Sequence, residues 1–283
     1  MDGSLATSHT DLRDILSLCF FPIVPKPVPP SDPSDPAPIP TRSFAPISEE
    51  EVSHHLATTS NRSAPGPTRI TYKLLKWCHV ASPSRLTSLF NAAVLWGHHP
   101  WKCATVVLIP KPGKPDYRAA KAYRPISLLE CCGKLLKKII AKRILLDAAR
   151  FHLLPSRQFG SWDYHTASDA VLSMVHTVQT CIKTGHVVGL LLFDIQGFFD
   201  NLHVDRLVHI FTLLGFAPSL CDWVHSFLTD QRITLSFNGE PLPKVVLNHG
   251  IPQGSPLSPI LSTLYILPLL RLTEAWRFRS LST

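Results

Sequence analysis

The sequence predicts an α+β fold, on three observations. Apolar runs of strand length, TVVLIP at 105–110, VVGLLLF at 187–193 and RITLSF at 232–237, are scattered among longer stretches with helical periodicity. Hydrophobic residues make up 45% of the 283 positions, enough to build a sizeable core. No apolar stretch is long enough to span a bilayer: the longest, 259–270, is interrupted by Ser262, Thr263 and Pro268, so no membrane partner is expected.

Taken in order, residues 11–21 fit one short amphipathic helix, and 22–40 are dense in Pro, Ser and Asp, the composition of an extended linker. The linker begins close to the first residue, as expected of a chain with a further domain upstream. The opening residues show no basic region followed by an apolar core, so no secretory signal is expected. Ser48 with Glu51 is a capping-box signature for a helix to residue 57. The turn-forming cluster Ser63-Ala64-Pro65-Gly66-Pro67 precedes helices over 70–80 and 86–95. His98, His99 and Cys103 lie close together but lack a second ligand pair at a metal-binding spacing, so a metal site is not expected there.

Strand 105–110 and the segment 123–128 flank a loop carrying Lys111, Lys114, Arg118, Lys121 and Arg124, cations suited either to a triphosphate or to a solvated hairpin. Helix 135–146 has a basic face, and helices follow over 166–183, 202–214 and 218–228. Asn238-Gly239 signals a hairpin returning through 244–247, and 260–270 is an apolar helix. The net charge of +8 favours a polyanionic partner. Seven cysteines, an odd number without any CxxC pair, argue against disulfides and a zinc ribbon and read as an intracellular, reducing setting.

Two stretches carry the chemistry. In 187–201, VVGLLLFDIQGFFDN, a run predicted to be a buried strand ends in Asp194, with Asp200 one turn on. A carboxylate at the end of a buried strand must be paired, neutralised or metal-bound, which makes Asp194 a divalent-cation ligand or a capped turn residue. In 250–259, GIPQGSPLSP, glycines permit close backbone approach to a ligand and Gln253 can face a sugar or base edge; an N-capped structural loop is the alternative.

In order, APGP, LIPKPGK, YRPISLLE, QFG, FDIQGFFDNL and GIPQGSPLSPILSTLYI resemble the reverse transcriptase domain of non-LTR, LINE-like retrotransposons, in wording nearest the fungal type. Group II intron reverse transcriptases share parts of these blocks less closely. The resemblance implies a right-hand polymerase fold: N-terminal segment and linker over 1–45, fingers over 46–185, a partial palm with two of its motifs over 186–270, a divergent tail over 271–283, and no thumb. It implies an RNA-directed DNA polymerase with RNA template, DNA primer and dNTPs as partners and two Mg²⁺ ions as cofactors, in the nucleus or alternatively the mitochondrion. It makes Asp194 and the Ile195 carbonyl metal ligands and Phe199 the aromatic gate against a 2′-hydroxyl. It sets Lys111 and Arg124 on the incoming triphosphate, and Gln253 and Gly254 beside nucleotide and template.

The resemblance breaks at its third palm motif, an aromatic-x-Asp-Asp hairpin. After Gly250 the only acidic residue is Glu274, and no Asp-Asp pair occurs anywhere in the sequence. Two Mg²⁺ ions need about three carboxylates, so a truncated or decayed copy with little polymerase activity of its own is expected. Thr68 also stands where the family usually has Asp, and 161–164 replace a segment that usually carries Arg. The alternative is a non-catalytic nucleic-acid-binding fragment. A palm lacking its later strands is expected to expose apolar surface.

Overall fold

Strands β1 (Cys103–Pro110), β2 (Tyr123–Leu129), β3 (Gln231–Phe237) and β4 (Glu240–Leu247) form one mixed sheet, in the order β2-β1-β3-β4, in a computed structural model. It describes residues 6, 8–20, 31–33, 35–155, 158–161, 165–190, 192–195, 197–237 and 240–272. β1 pairs antiparallel with β2, Val107 opposite Ile126, and parallel with β3, Thr105 opposite Thr234. β3 pairs antiparallel with β4, Ile233 opposite Val245; the Asn238-Gly239 turn lies outside the described residues. The sheet thus joins strands from both sides of residue 186, the expected boundary between fingers and palm.

The helices are α1 (His9–Phe20), α2 (Glu49–Ala57), α3 (Tyr72–Ala81), α4 (Pro83–Leu95), α5 (Cys131–Arg150), α6 (Ala167–Lys183), α7 (Phe198–Asn201), α8 (Val204–Leu213), α9 (Pro218–Leu228) and α10 (Ser258–Tyr265). The period-2 alternation of β1 and β3 buries Val106, Leu108, Ile233 and Leu235 in one cluster with Leu12 and Leu16 of α1. A larger cluster unites α2–α5 with α8–α10 around Leu135, Leu136, Ile139, Phe211, Trp223 and Leu261. α5 runs through it as a helix of 20 residues, longer than its apolar period suggested, because its first turn, Cys131 and Cys132, is buried too.

The Ser48 hydroxyl accepts the Glu51 N–H at 3.2 Å as predicted. The Glu51 carboxylate instead receives Arg143 of α5 at 2.6 and 2.8 Å, fixing α2 against α5. At α6 the capping box is complete: Thr166 and Asp169 exchange both hydrogen bonds. His99 is a core residue. Its ring sits edge-on to Trp101, Trp223 and Phe227 and donates to the Trp101 carbonyl at 3.1 Å. Among the described residues no group of three His, Cys, Asp or Glu is placed to hold a metal, and no disulfide joins the cysteines.

Two expectations are corrected. Segment 187–193 is neither a strand nor buried: its described residues form no ladder, and Leu192 and Phe193 are each 80% exposed. An extended segment leaves its N–H and C=O groups unpaired unless a neighbouring strand takes them, and no described strand lies beside this one. The Pro-rich segment is also not a free tether at its C-terminal end. Ile39 N–H donates to the Leu213 carbonyl (2.9 Å) and Arg42 N–H to that of Gly215 (2.8 Å). Asp35 receives both terminal nitrogens of Arg206, an ion pair with both side chains largely buried. Residues 21–30 lie outside the described residues, as do most of the Trp162-containing segment and the tail beyond Leu272.

Candidate nucleotide site

Asp194, Ile195, Phe199 and Gln253 line one open cleft, with Phe193, Gly197, Phe198, Asp200 and Ile266 completing it. Two sequence-distant motifs meet there because the 249–251 turn is hydrogen-bonded to α7 and the residue after it. Ile251 N–H donates to the Phe199 carbonyl at 2.7 Å, Gly250 N–H to that of Leu202 at 2.8 Å, and His249 Nδ1–H to that of Asp200 at 3.0 Å. Since α7 is only one turn, these bonds use carbonyls that have no partner within the helix. Gly250 is required here: its φ is +78°, and a Cβ would lie 2.9 Å from the Phe199 carbonyl oxygen and 3.0 Å from that of Asp200.

A second, smaller cleft shares Phe199, Asp200 and Gln253 with the first and reaches the sheet at Val106, Pro125, Ser127 and Ile233. The Gln253 carbonyl accepts Ser127 N–H at 3.2 Å, so the same loop also ties to β2. Gly254, at φ +102°, lies against the Ser127 carbonyl rather than among the cleft-lining residues. Phe199 is half-buried, with its ring at 5.8 Å from that of Phe198, which in turn packs at 6.0 Å from Tyr265 of α10.

Lys111 and Arg124 do not line either cleft. They sit where β1 ends and β2 begins: Lys111 N–H donates to the Ala122 carbonyl at 2.7 Å, and the Lys111 carbonyl accepts the Tyr117 hydroxyl at 2.9 Å. Arg124 is opposite Ile109 and exposed, one residue before the cleft-lining Pro125. Arg118, in the same loop, is held by Asp116 through contacts of 2.9–3.2 Å, so its charge is neutralised locally. The Arg118 guanidinium holds the Asp116 carboxyl below its ordinary value.

The donors in the open cleft are hard oxygens, the type Mg²⁺ takes, but they are few. Asp194 is an exposed carboxylate and Asp200 lines the cleft from α7. With a backbone carbonyl these suit one hydrated ion arriving with a triphosphate. They do not fit a pair of protein-held ions.

Sequence reasoning did not single out two residues with structural roles, one at the cleft and one away from it. His249 is legible only as the residue before GIPQG. Glu130, which is buried, receives Thr68 N–H at 2.9 Å and the Thr68 hydroxyl at 2.5 Å. The Thr68 hydroxyl therefore serves as a donor to an acidic neighbour, a role an ionised Asp side chain could not fill.

With this geometry in place, the chain belongs to the reverse transcriptase (RNA-dependent DNA polymerase) family, whose sequence profile matches residues 109–278. It is a reverse transcriptase domain of the non-LTR retrotransposon kind. It is 29% identical over 223 residues to the probable RNA-directed DNA polymerase from transposon BS of Drosophila melanogaster, covering 78% of this chain and 24% of the relative. With the corresponding protein from the X-element of the same fly it shares 31% over 225 residues, 78% and 24%. With the RNA-directed DNA polymerase from mobile element jockey of Drosophila funebris it shares 27% over 223 residues, again 78% and 24%. The chain thus spans about a quarter of the length of these curated relatives.

Proposed function

We propose that the cleft of Asp194, Phe199 and Gln253 is the nucleotide site of an RNA-directed DNA polymerase, and that this chain supplies only part of the catalytic centre. The observation that carries the reading is the stitching of GIPQG onto FDIQGFFDN, which sets a carboxylate, an aromatic ring and a polar amide around one opening. Asp194 and the Ile195 carbonyl are the ligands for a divalent ion brought by the triphosphate, which supplies Lewis-acid stabilisation when bound. Phe199 closes the floor against the 2′ position of the sugar, and Gln253 faces the base and template, with Gly254 behind it letting the loop approach β2. Lys111 and Arg124 attract the phosphates from the fingers side.

In this reading residues 46–185 are fingers and 186–270 a partial palm of a right-hand polymerase. RNA template and DNA primer are the partners, and the setting is nuclear, with the mitochondrion as alternative. The wording of the motifs supports a fungal type of element. Because the two-ion site lacks its Asp-Asp pair within these 283 residues, the chain by itself is inactive in polymerisation.

The test is equilibrium binding of a fluorescent 3′-substituted dNTP with and without Mg²⁺. Magnesium-dependent binding is expected, weakened about tenfold by Asp194→Asn, with Phe199→Ala narrowing the preference for dNTP over NTP. Binding that ignores Mg²⁺ and both substitutions would remove the basis of the reading.

A further inference from the structure

Three hydrogen bonds tie the 249–251 turn to α7 and to the residue after it. Two of them come from the backbone N–H groups of Gly250 and Ile251. The third uses a side chain: Nδ1–H of His249 donates to the Asp200 carbonyl at 3.0 Å. Because the acceptor is a carbonyl oxygen, the proton of this bond must sit on Nδ1. The bond grips the residue directly after Phe199. Phe199 and Asp200 line both clefts, and His249 lines the smaller one with them.

The turn gripped in this way cannot hold itself. α7 has four residues, entered from Gly197 in the left-handed conformation at φ +60°, and a single helical turn is not stable alone in water. Its place is therefore set from outside, and the place of Phe199 with it. On the ring itself, Phe198 lies 5.8 Å away and packs in turn on Tyr265, contacts that leave the Phe199 backbone to the 249–251 turn. A steric barrier discriminates only as far as its backbone is fixed, since a shift of about 1 Å is enough to spoil such a contact.

We propose that His249 is a positioning residue for sugar selection: by holding the Asp200 carbonyl, its Nδ1–H keeps Phe199 where the ring excludes a 2′-hydroxyl. The proposal rests on the reading of Phe199 as the floor beneath the sugar. It assigns the role to one atom of the imidazole. His249→Asn keeps an N–H at the position of Nδ1, whereas His249→Gln moves it out to that of Nε2.

The experiment is equilibrium binding, to the full chain with Mg²⁺, of a fluorescent 3′-substituted dATP and of the same compound bearing a 2′-hydroxyl. His249→Ala is expected to narrow the preference for the deoxy compound about fivefold, the worth of one hydrogen bond, chiefly by admitting the ribo compound. His249→Asn is expected to restore most of the preference and His249→Gln to leave it narrowed. Asn248→Ala, which removes the acceptor of Asp230 N–H (2.7 Å) beside the same turn, is expected to leave the preference unchanged. Urea denaturation reads the stability of each variant, and if His249→Ala does not fold, the comparison of His249→Asn with His249→Gln decides. A preference unchanged in His249→Ala, rescue by Gln rather than Asn, or equal narrowing in Asn248→Ala would overturn the proposal while the nucleotide site stands. Wild-type binding that ignores Mg²⁺ and Asp194→Asn would instead remove the nucleotide site, and this role of His249 with it.

Discussion

Replacing Gly250 with alanine perturbs the junction on which the site depends. The backbone there has φ +78°, and a Cβ would stand 2.9 Å and 3.0 Å from the carbonyl oxygens of Phe199 and Asp200. The left-handed conformation alone costs an L-residue about 1–2 kcal/mol. Relieving the contacts means lengthening the Ile251 to Phe199 and Gly250 to Leu202 hydrogen bonds, each worth about 1 kcal/mol net. Together these give a loss of up to about 3–4 kcal/mol, with α7 and its Phe199 displaced from Gln253. Gly189→Ala is the internal control, since a Cβ there meets nothing within 4 Å and the change is expected to alter stability by less than about 0.5 kcal/mol. Urea denaturation followed by tryptophan fluorescence reads the stability, and fluorescent dNTP binding reads the cleft. If Gly250→Ala matched Gly189→Ala in both assays, the stitched junction would not be what positions the site.

Three further outcomes follow from the packing. Lys137 is fully buried with its Nζ 4.7 Å from the centroid of the Phe227 ring, and burial, with Lys134 adding to it, brings its pKa down to about 7. The folded form then binds fewer protons than the unfolded chain from about pH 7 to 10.5, so this group's penalty is full below pH 7 and relieved as pH rises. Lys137→Met is expected to stabilise the chain at pH 7 by a few kcal/mol and to lose about 2 kcal/mol of that advantage by pH 9, in paired urea titrations of variant and wild type. Pairing the two chains cancels every group that the substitution leaves unchanged. Thr68→Asp faces the buried Glu130 with a second carboxylate and removes a hydroxyl donor. Its expected cost of about 1–3 kcal/mol at pH 7, reduced in the double variant with Glu130→Gln, is checked by a double-mutant cycle. Arg206→Ala releases Asp35, whose carboxyl the Arg206 guanidinium holds below its ordinary value. That pair stabilises above the unfolded pKa of Asp35 and is lost on acidification through its folded one, so limited proteolysis within 35–45 should quicken in the variant at pH 7 and in the wild type only toward acid pH.

Much of the fold was legible because its signals are local. The strand-length apolar run of β1, the 2-residue alternation of β3 and the Ser48 cap of α2 each need only a few adjacent residues. The chemistry-bearing motifs were legible too, since FDIQGFFDN and GIPQG have wording that composition does not produce by chance. What failed depends on partners far along the chain. The run 187–193 has the composition of a buried strand, but a strand exists only where a neighbour takes its N–H and C=O groups. Conversely, the Pro-rich stretch looks solvated until Arg206 of α8 gives Asp35 a partner. Glu51 was read as a cap because nothing local announces Arg143. Lys111 and Arg124 fall where β1 ends and β2 begins, but that neither lines a cleft could not be read locally, since the position of this hairpin is set by the pairing of β1 with the distant β3.

On the proposed function, Asp194 and the 249–254 loop share one metal-nucleotide site. Iron(II)-directed backbone cleavage tests it most directly: Fe²⁺ replaces Mg²⁺ with a dNTP, peroxide and ascorbate start the reaction, and fragments are mapped by mass spectrometry. Cuts that depend on dNTP are expected in both 193–199 and 250–254 and vanish together in Asp194→Asn. Cuts confined to one segment, or unaffected by that substitution, would contradict it.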